Sequence, residues 1–221
     1  MLRKTGMEEQ KHIRKRSMVV GALFGYVAVL ALCRRWYLHW GTTAAEQAQP
    51  LPGDELMDHA SANHAVTIHA PVEAVWPWLV QIGQDKAGFY SYTFLENLIA
   101  ADIHNANRIV PEWQHLKAGD TIRLGSKKVY GDKTLLPVAA LKEHQYIVLQ
   151  GWGAFVLQPI DARTTRFIIR SHAPKDGLAF SVLRFLLLDP IHFLMERGML
   201  LGIKKRSERN YRASKLRNRS G

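Results

Sequence analysis

Hydrophobic residues follow three different spacings along the chain, and the first is an unbroken apolar run. Residues 17–33 contain no charged side chain, and seventeen residues is close to the shortest length that spans a bilayer as a helix. Basic residues stand on both sides, at positions 14–16 and 34–35, and three aromatic residues suited to a membrane interface follow, namely Trp36, Tyr37 and Trp40. The pattern predicts a basic segment over 1–16 and a transmembrane helix with an aromatic flank over 17–40.

A cleaved signal peptide is the main alternative for this run. Two arginines directly after it disfavour cleavage, and Leu32 stands where a lipoprotein signal needs a small residue. We therefore expect an uncleaved, single-pass anchor in the cell membrane. Six basic residues precede the span and two follow it closely, which predicts a cytoplasmic N-terminus and an extracytoplasmic domain. Gly21 and Gly25 form a GxxxG pair that allows a weak homodimer through the span.

The second spacing is helical and follows a polar, Pro- and Gly-punctuated linker predicted over 41–63. Residues 64–70 alternate as a strand, and Pro71 is suited to the first position of a helix. Pro77 should kink or divide that helix, and Trp78 should point away from its apolar face. Five residues share this face: Val72, Val75, Trp76, Leu79 and Ile82.

A second short helix is predicted to reach about residue 101. Thr93 and Glu96 have the spacing of a capping box at its start. The segment over 102–120 that follows is polar and irregular.

The third spacing is that of short strands. After residue 120 come five runs rich in β-branched residues, which turn residues separate closely enough to predict antiparallel hairpins. Asp189 and Pro190 then predict the N-cap and first position of a long C-terminal helix, and residues 178–188 leave room for a separate one. Because charges interrupt the apolar region over 178–203, it is not expected to be a second span. Helices segregated from strands indicate an α+β domain.

Charge is concentrated at the chain ends. The net charge is +11, and residues 1–16, 34–35 and 204–219 contribute +4, +2 and +7, so the remainder sums to −2. This distribution argues against a nucleic-acid partner for the folded domain and favours basic tails beside anionic lipid. Cys33, in the span, is the only cysteine, so no disulfide forms within the chain.

Four segments resemble a known group of proteins: PGDEL (52–56), APVEAVWPWLVQIGQDKAGFYSYTFLENL (70–98), DIHNANRIVPEWQHLKAGD (102–120) and DPIHFLMERGMLLGIKKRSE (189–208). They resemble bacterial proteins of unassigned function in the START-like, or SRPBCC, superfamily, which includes polyketide cyclase/dehydrase-like proteins. The resemblance implies a helix-grip fold, in which a curved antiparallel sheet wraps a long C-terminal helix around a hydrophobic cavity. We place this START-like domain at 64–209 and a basic tail at 210–221.

Motifs for covalent or metal chemistry are weak. The sequence has no GxSxG motif, no Walker loop and no nucleophilic cysteine in the domain. Glu112 and His115 form one helical ligand pair where a di-iron site needs two, so no metal and no cofactor is predicted. Asp102 and His104 are the candidates for acid–base catalysis, since the carboxylate could orient or tune the imidazole.

The leading prediction is a non-catalytic domain that binds a hydrophobic small molecule, such as a lipid, isoprenoid or polyketide-like compound, beside the bilayer. The alternatives are a cyclase- or hydratase-type enzyme that uses Asp102 and His104, and a membrane assembly protein that acts through its span and basic tail. The residues predicted to line or gate the pocket are Trp76, Tyr90, Tyr92, His104, Trp113, Arg123, Trp152, Phe155, Met195 and Met199.

Overall fold

The computed structural model describes residues 2–56, 60–172 and 177–217, and describes no side chains for residues 2–13 and 60. Its helices are α1 (Leu2–Leu38), α2 (Ala44–Ala48), α3 (Val72–Val80), α4 (Thr93–Leu98), α5 (Lys127–Tyr130), α6 (Leu178–Leu183) and α7 (Asp189–Arg217). Its strands are β1 (Ala60–Ile68), β2 (Thr121–Arg123), β3 (Leu135–Lys142), β4 (Tyr146–Leu149), β5 (Gly153–Asp161) and β6 (Thr164–His172). Short 3₁₀ turns occupy Asp54–Leu56 and Pro111–Trp113, and a π-helical stretch occupies Arg184–Leu188.

The strands form one antiparallel sheet of six, in the order β1-β6-β5-β4-β3-β2. The prediction of an α+β domain with an antiparallel sheet, a long C-terminal helix and an N-terminal apolar helix is confirmed. β1 begins at Ala60, inside the segment predicted as linker, because it pairs with the whole length of β6, from Ala60 opposite His172 to Ile68 opposite Thr165.

The inner face of the sheet carries the main core. α7 packs against β1 and α3, and α3 packs against β5 and β6. Large apolar side chains fill the space between these layers, among them Ile68, Trp78, Leu79, Ile147, Phe155, Phe167, Ile169, Met199 and Ile203.

The outer face is covered by the segment predicted as a linker. Leu51 is buried among outward-facing residues of the sheet. The Arg170 guanidinium donates to Asp54 Oδ2 at 2.6 Å and to the Gln49 carbonyl at 2.9 Å, and Arg166 Nε donates to Glu46 Oε1 at 2.6 Å. Because these contacts tie residues 46–54 to β6, the segment is docked on the domain and does not hang free.

The structure adds to or corrects three details of the first helix predicted in the domain. Trp76 is in the core as expected, but Trp78 is buried too, because the segment after the helix packs over α3 and puts Tyr90 against the indole, with ring centroids 5.7 Å apart. α3 also runs undivided through Pro77, since the carbonyl that loses its donor belongs to Glu73, in the first turn. Pro71 is the N-cap and not the first helical residue.

The capping box predicted for α4 does not form. Tyr92 is the N-cap and makes no side-chain cap bond. The Thr93 hydroxyl instead accepts from Asn105 Nδ2 at 2.8 Å, and Glu96 is buried with neither carboxylate oxygen hydrogen-bonded. A tertiary partner has therefore replaced the local one.

The last helices form one continuous rod from Leu178 to Arg217, so the N-cap predicted at Asp189 is wrong. A π-helical stretch before Asp189 absorbs the proline at 190, and the Asp189 carboxylate pairs with Arg34 of α1 at 3.1 Å. The helix continues past residue 209, so most of the predicted tail is helical.

By length and composition, two helices of the described ranges could cross a membrane: Arg14–Leu38 and Leu178–Arg217. The first is the predicted anchor. The second passes the test because its charges, apart from Arg184, begin only at Asp189.

Candidate functional site

A fully buried carboxylate, that of Glu196 on α7, is the polar centre of the domain. It faces the middle of β1, the end of β6 and the turn before β5, and four side chains point at it. Its Oε1 accepts from Trp152 Nε1 at 2.6 Å, from the Ser171 hydroxyl and from His192 Nε2 at 3.0 Å, while its Oε2 lies 2.6 Å from His64 Nδ1. With four partners, this carboxylate is solvated by the protein in place of water.

The charges at this centre follow from the contacts. Burial opposes ionisation of Glu196, but His192 and His64 outweigh it and hold the carboxyl pKa well below its usual range. Partial burial lowers the pKa of His192, while the Glu196 carboxylate raises it, and the net shift is upward. His64 Nε2 lies 2.7 Å from the Tyr37 carbonyl, so with an ionised Glu196 both neighbours of this ring are acceptors.

The same centre joins α1 to the domain. His64 bridges Glu196 to the Tyr37 carbonyl near the end of α1. Phe193, the residue after His192, lies among the rings of Trp36, Tyr37, Trp40 and His64, at centroid distances of 5.3, 6.0, 6.3 and 5.5 Å. Helix α1 therefore ends on the face of the domain that holds Glu196.

Aromatic rings lie beside this centre, between α7 and the sheet. The Trp152 indole lies 5.2 Å from the Phe155 ring, 5.8 Å from Phe89 and 6.1 Å from His192. Phe155 is fully buried, whereas Trp152 is half-buried and the His192 side chain is 41% exposed. We call these four residues the aromatic mouth, because its two outer members reach solvent and its inner members reach the core.

Of the predicted pocket residues, the structure brings Trp152 and Phe155 together and places four others elsewhere. The Tyr90 ring lies under the Arg206 guanidinium at 4.7 Å, and its hydroxyl accepts from Gln81 Nε2 at 2.7 Å. Burial raises its pKa. Trp76 packs on His144 with centroids 5.8 Å apart, and Arg123 pairs with Asp132 at 2.9 Å. Trp113, in the 3₁₀ turn, is half-buried against the main core.

The methionines and Tyr92 lie along α7. Met199 is buried in the core, and the Met195 carbonyl accepts from the Ser91 hydroxyl at 3.0 Å. The glycines beside them admit a neighbouring segment: a Cβ on Gly198 would stand 2.6 Å from Ser91 Oγ and 2.9 Å from the exposed Tyr92 ring. Gly198 and Gly202 leave a stripe of α7 without side chains, and residues 90–92 fill it.

Asp102 and His104 lie on the surface. Their side chains are 61% and 81% exposed, and Oδ1 and Nδ1 are 3.8 Å apart, beyond hydrogen-bond distance. Neither faces the core, and they form no buried acid–base pair.

Sequence reasoning missed Glu196, His64 and Ser171. Glu196 carried one usable signal, since an acid on an apolar helix face needs a partner and His192 stands four residues before it. His64 and Ser171 are far apart in the sequence and become neighbours only through the pairing of β1 with β6, so only the fold reveals them. Within the described ranges, no three His, Cys, Asp or Glu side chains are arranged to hold a metal ion.

A small cavity of about 170 Å³ lies elsewhere, lined by Leu56, Ala139, Val148 and Gln150. It is smaller than the sites that usually hold drug-sized ligands. Comparisons with protein-family models, curated proteins and solved structures find no match for the chain.

Proposed function

We propose that this chain is a membrane-anchored START-like domain of helix-grip type that binds a hydrophobic small molecule between the sheet and α7. The order of elements supports it: one strand, two short helices, five further antiparallel strands and one long helix on the inner face. The four sequence segments described above support the same superfamily. The ligand class is a lipid, isoprenoid or polyketide-like compound.

The observation that carries the proposal is the position of the aromatic mouth. Its outer members, Trp152 and His192, lie beside the junction of α1 with α7, and Trp152 packs on the buried Phe155 ring. A ligand in the bilayer around α1 could pass Trp152 and His192 without crossing water. The exposed His192 edge supplies a polar contact, because its other ring nitrogen is engaged by Glu196.

The proposed ligand is tested by extraction. The full-length chain, purified in mild detergent, should release a lipid-like molecule detectable by mass spectrometry. Phe155→Trp adds bulk at the inner end of the mouth and should reduce the bound amount at least several-fold. Val129→Trp adds equal or greater bulk on α5 at a position 56% exposed, and should retain the ligand. Circular dichroism verifies that both variants fold. The proposal is contradicted if the purified chain repeatedly contains no ligand. It is also contradicted if both variants retain the same amount of ligand.

The proposed orientation places the N-terminus in the cytoplasm and the domain outside the cytoplasmic membrane. It rests on the excess of basic residues before the span. A reporter active only in the cytoplasm, fused to the C-terminus, should be inactive, while one active only outside should report. The opposite result reverses the orientation and leaves the ligand proposal to its own test.

A further inference from the structure

A second apolar helix stands beside α1 with most of its side chains facing no protein. Over 178–194 the exposed large residues are Leu178, Phe180, Val182, Leu183, Leu187, Leu188, Ile191 and Leu194, with Leu178 the most exposed at 83%. On α1 the exposed large residues include Met18, Val19, Leu23, Phe24, Val29 and Leu32. Monomeric soluble proteins rarely present so much contiguous apolar surface.

We propose that residues 178–188 are a half-membrane segment, which enters one leaflet beside α1 and contacts the acyl chains of the lipid. The proposal rests on the membrane anchoring of α1 proposed above. It adds a second contact between the domain and the bilayer, which the sequence pattern did not predict.

The direction of the segment follows from its contacts with α1. Tyr26 contacts Leu186, Arg34 pairs with Asp189, and the Arg197 guanidinium lies 5.0 Å over the Trp40 ring. The residue numbers of these three contacts increase in the same order along both helices, so the two helices run parallel. Leu178 therefore lies toward the N-terminal end of α1, away from the domain, at the level of the apolar run over 17–33.

Chain length limits how deep the segment reaches. From Asp189 to Leu178 the helix extends about 16 Å, roughly half of a ~30 Å hydrocarbon core. His172 ends β6 in the domain, and only residues 173–177 connect it to Leu178. Six residue steps span at most about 21 Å. Leu178 therefore lies within about 21 Å of His172, which is too short for residues 178–188 to belong to a complete second span.

Backbone polarity inside the segment is also satisfied. Pro190 has no N–H for the Leu186 carbonyl four residues earlier, and an unpaired carbonyl is costly in hydrocarbon. The Tyr26 hydroxyl, from α1, donates to that carbonyl at 2.5 Å. A hydroxyl from the neighbouring span thus replaces the missing helical donor, as is usual for proline in membrane helices.

The Arg34–Asp189 ion pair and Arg184 fit this depth. The Arg34–Asp189 pair lies at the start of the domain-side interface. Arg184 is about 7 Å further in along the axis, and a side chain of its length can extend its charge toward the headgroups while its stem stays in the apolar layer. Beyond the pair, Trp36 and Trp40 lie at the height expected of interfacial aromatics.

Depth-resolved quenching tests the proposal in the full chain, reconstituted in phosphatidylcholine–phosphatidylglycerol vesicles. In a Cys33→Ala background, a single environment-sensitive fluorophore is attached at Leu178→Cys, at Leu187→Cys, at Leu23→Cys in α1 or at Val129→Cys in the domain. All four native side chains are exposed, at 83%, 48%, 57% and 56%, so the substitutions should leave the fold intact. Lipids carrying a nitroxide at shallow or deep acyl positions serve as quenchers.

We expect Leu178→Cys to be quenched several-fold more by the deep nitroxide than by the shallow one, and Leu187→Cys to show the reverse preference. Val129→Cys should respond to neither. If Leu23→Cys is quenched while Leu178→Cys behaves like Val129→Cys, the half-membrane segment is wrong and the anchor stands. If Leu23→Cys is not quenched either, the anchor itself fails. Protection of Leu178→Cys that depends on protein concentration and not on lipid would identify a second copy of the chain as the partner, and would overturn the proposal.

Discussion

Glu196 shows how a single residue can set the architecture around it. Its carboxylate is fully buried, yet it draws one donor from each of four different positions: His64, Trp152, Ser171 and His192. An unpaired charge in such a place would be unstable by several kcal/mol. The four partners therefore have to be present together. Two of them, His64 and Ser171, fix α7 against β1 and β6.

Glu196→Gln should destabilise the chain by about 3 kcal/mol at neutral pH, because it removes one partner of a buried charged cluster. The lowered pKa of Glu196 means that its contribution is present above the unfolded value of 4.5 and is lost as the pH falls. The raised pKa of His192 means that its contribution is full below 6.5 and is lost as the pH rises through the folded value. Denaturant unfolding of the chain in micelles, from pH 3 to 8, measures both the loss of stability at low pH and the loss at high pH.

The control for this variant is Glu112→Gln, which neutralises an exposed acid and should change stability by less than 0.5 kcal/mol. A Glu196→Gln protein as stable as this control at pH 6 would show that the cluster does not hold the domain together.

Glu96 is the opposite case, a buried carboxylate with no hydrogen-bond partner on either oxygen. Burial raises its pKa to about 7. Since its unfolded value is 4.5, the folded protein binds more protons than the unfolded chain between these values, and stability falls as the pH rises. The full loss over this window is about 3 kcal/mol.

Glu96→Gln should therefore stabilise the protein at pH 8 by about 2–3 kcal/mol and make little difference at pH 4.5. Thermal unfolding in micelles at the two pH values measures the change. Glu73→Gln, at an exposed acid of α3, is the matched control and should show no such pH dependence. Equal effects of the two substitutions would mean that Glu96 is solvated in the folded protein.

At the scale of elements, α7 depends on two glycines to pack against residues 90–92. A Cβ on Gly202 would meet the Tyr90 carbonyl and stand 2.8 Å from Tyr90 Cβ. Backbone atoms cannot move aside as a flexible side chain does.

Gly202→Ala should destabilise the domain by about 2 kcal/mol, although alanine is the better helix former by about 1 kcal/mol. Gly21→Ala places the same methyl group on α1, where nothing lies within 4 Å, and should be neutral. The denaturant midpoints of the two variants distinguish the effect of the packing clash from the effect of helix propensity. A stabilised Gly202→Ala chain would show that the stripe has spare room, as a ligand-lining stripe would.

The helix pair of α1 and residues 178–188 depends on the Tyr26 hydroxyl. Tyr26→Phe should weaken it by about 1 kcal/mol, because the Leu186 carbonyl loses its donor. In a Pro190→Ala background, the backbone N–H at position 190 can supply that bond, so the same change should cost less. A double-mutant cycle on thermal stability in vesicles measures the coupling. Additive effects would mean that the hydroxyl and the proline act independently.

At the scale of the whole molecule, much of the fold follows from local patterns. The five strands from β2 to β6 are short β-branched runs bounded by turn residues. They lie at the positions predicted from those runs. The capping box at Thr93 could not be judged locally, because the competing donor, Asn105, comes from twelve residues away. The docking of residues 46–54 depended on Arg166 and Arg170, whose partners are more than 115 residues distant.

The candidate site was predictable only in part. Trp152 and Phe155 are large and apolar, and any core would recruit them. Glu196 became a centre only through His64 and Ser171, which the β1–β6 register brings together from positions more than 100 residues apart. Of the cluster, the sequence analysis predicted Trp152 as a site residue, and the spacing within α7 was the one signal that could have linked His192 to Glu196.

The molecule as a whole joins its N-terminal apolar helix to its domain without a free tether. Phe193 sits among Trp36, Tyr37, Trp40 and His64, and residues 46–54 are bound to the sheet. If this junction is rigid and α1 spans the membrane as proposed, the distance between the aromatic mouth and the bilayer surface is constant. Phe193→Ala removes the ring at the centre of the contact and should cost the junction about 3 kcal/mol.

The consequence is measurable as a distance. Spin labels at Phe24→Cys on α1 and Val129→Cys on the domain, in a Cys33→Ala background, should give a narrow distance distribution in nanodiscs. Phe193→Ala should broaden it severalfold, whereas Phe94→Ala, which removes a ring that is 74% exposed on α4, should leave it narrow. An unchanged width in Phe193→Ala would place the rigidity in the His64 bridge and not in the aromatic contact. A broad distribution in the parent chain would mean that the domain moves freely on its anchor, and that the mouth has no constant height from which to take up a ligand.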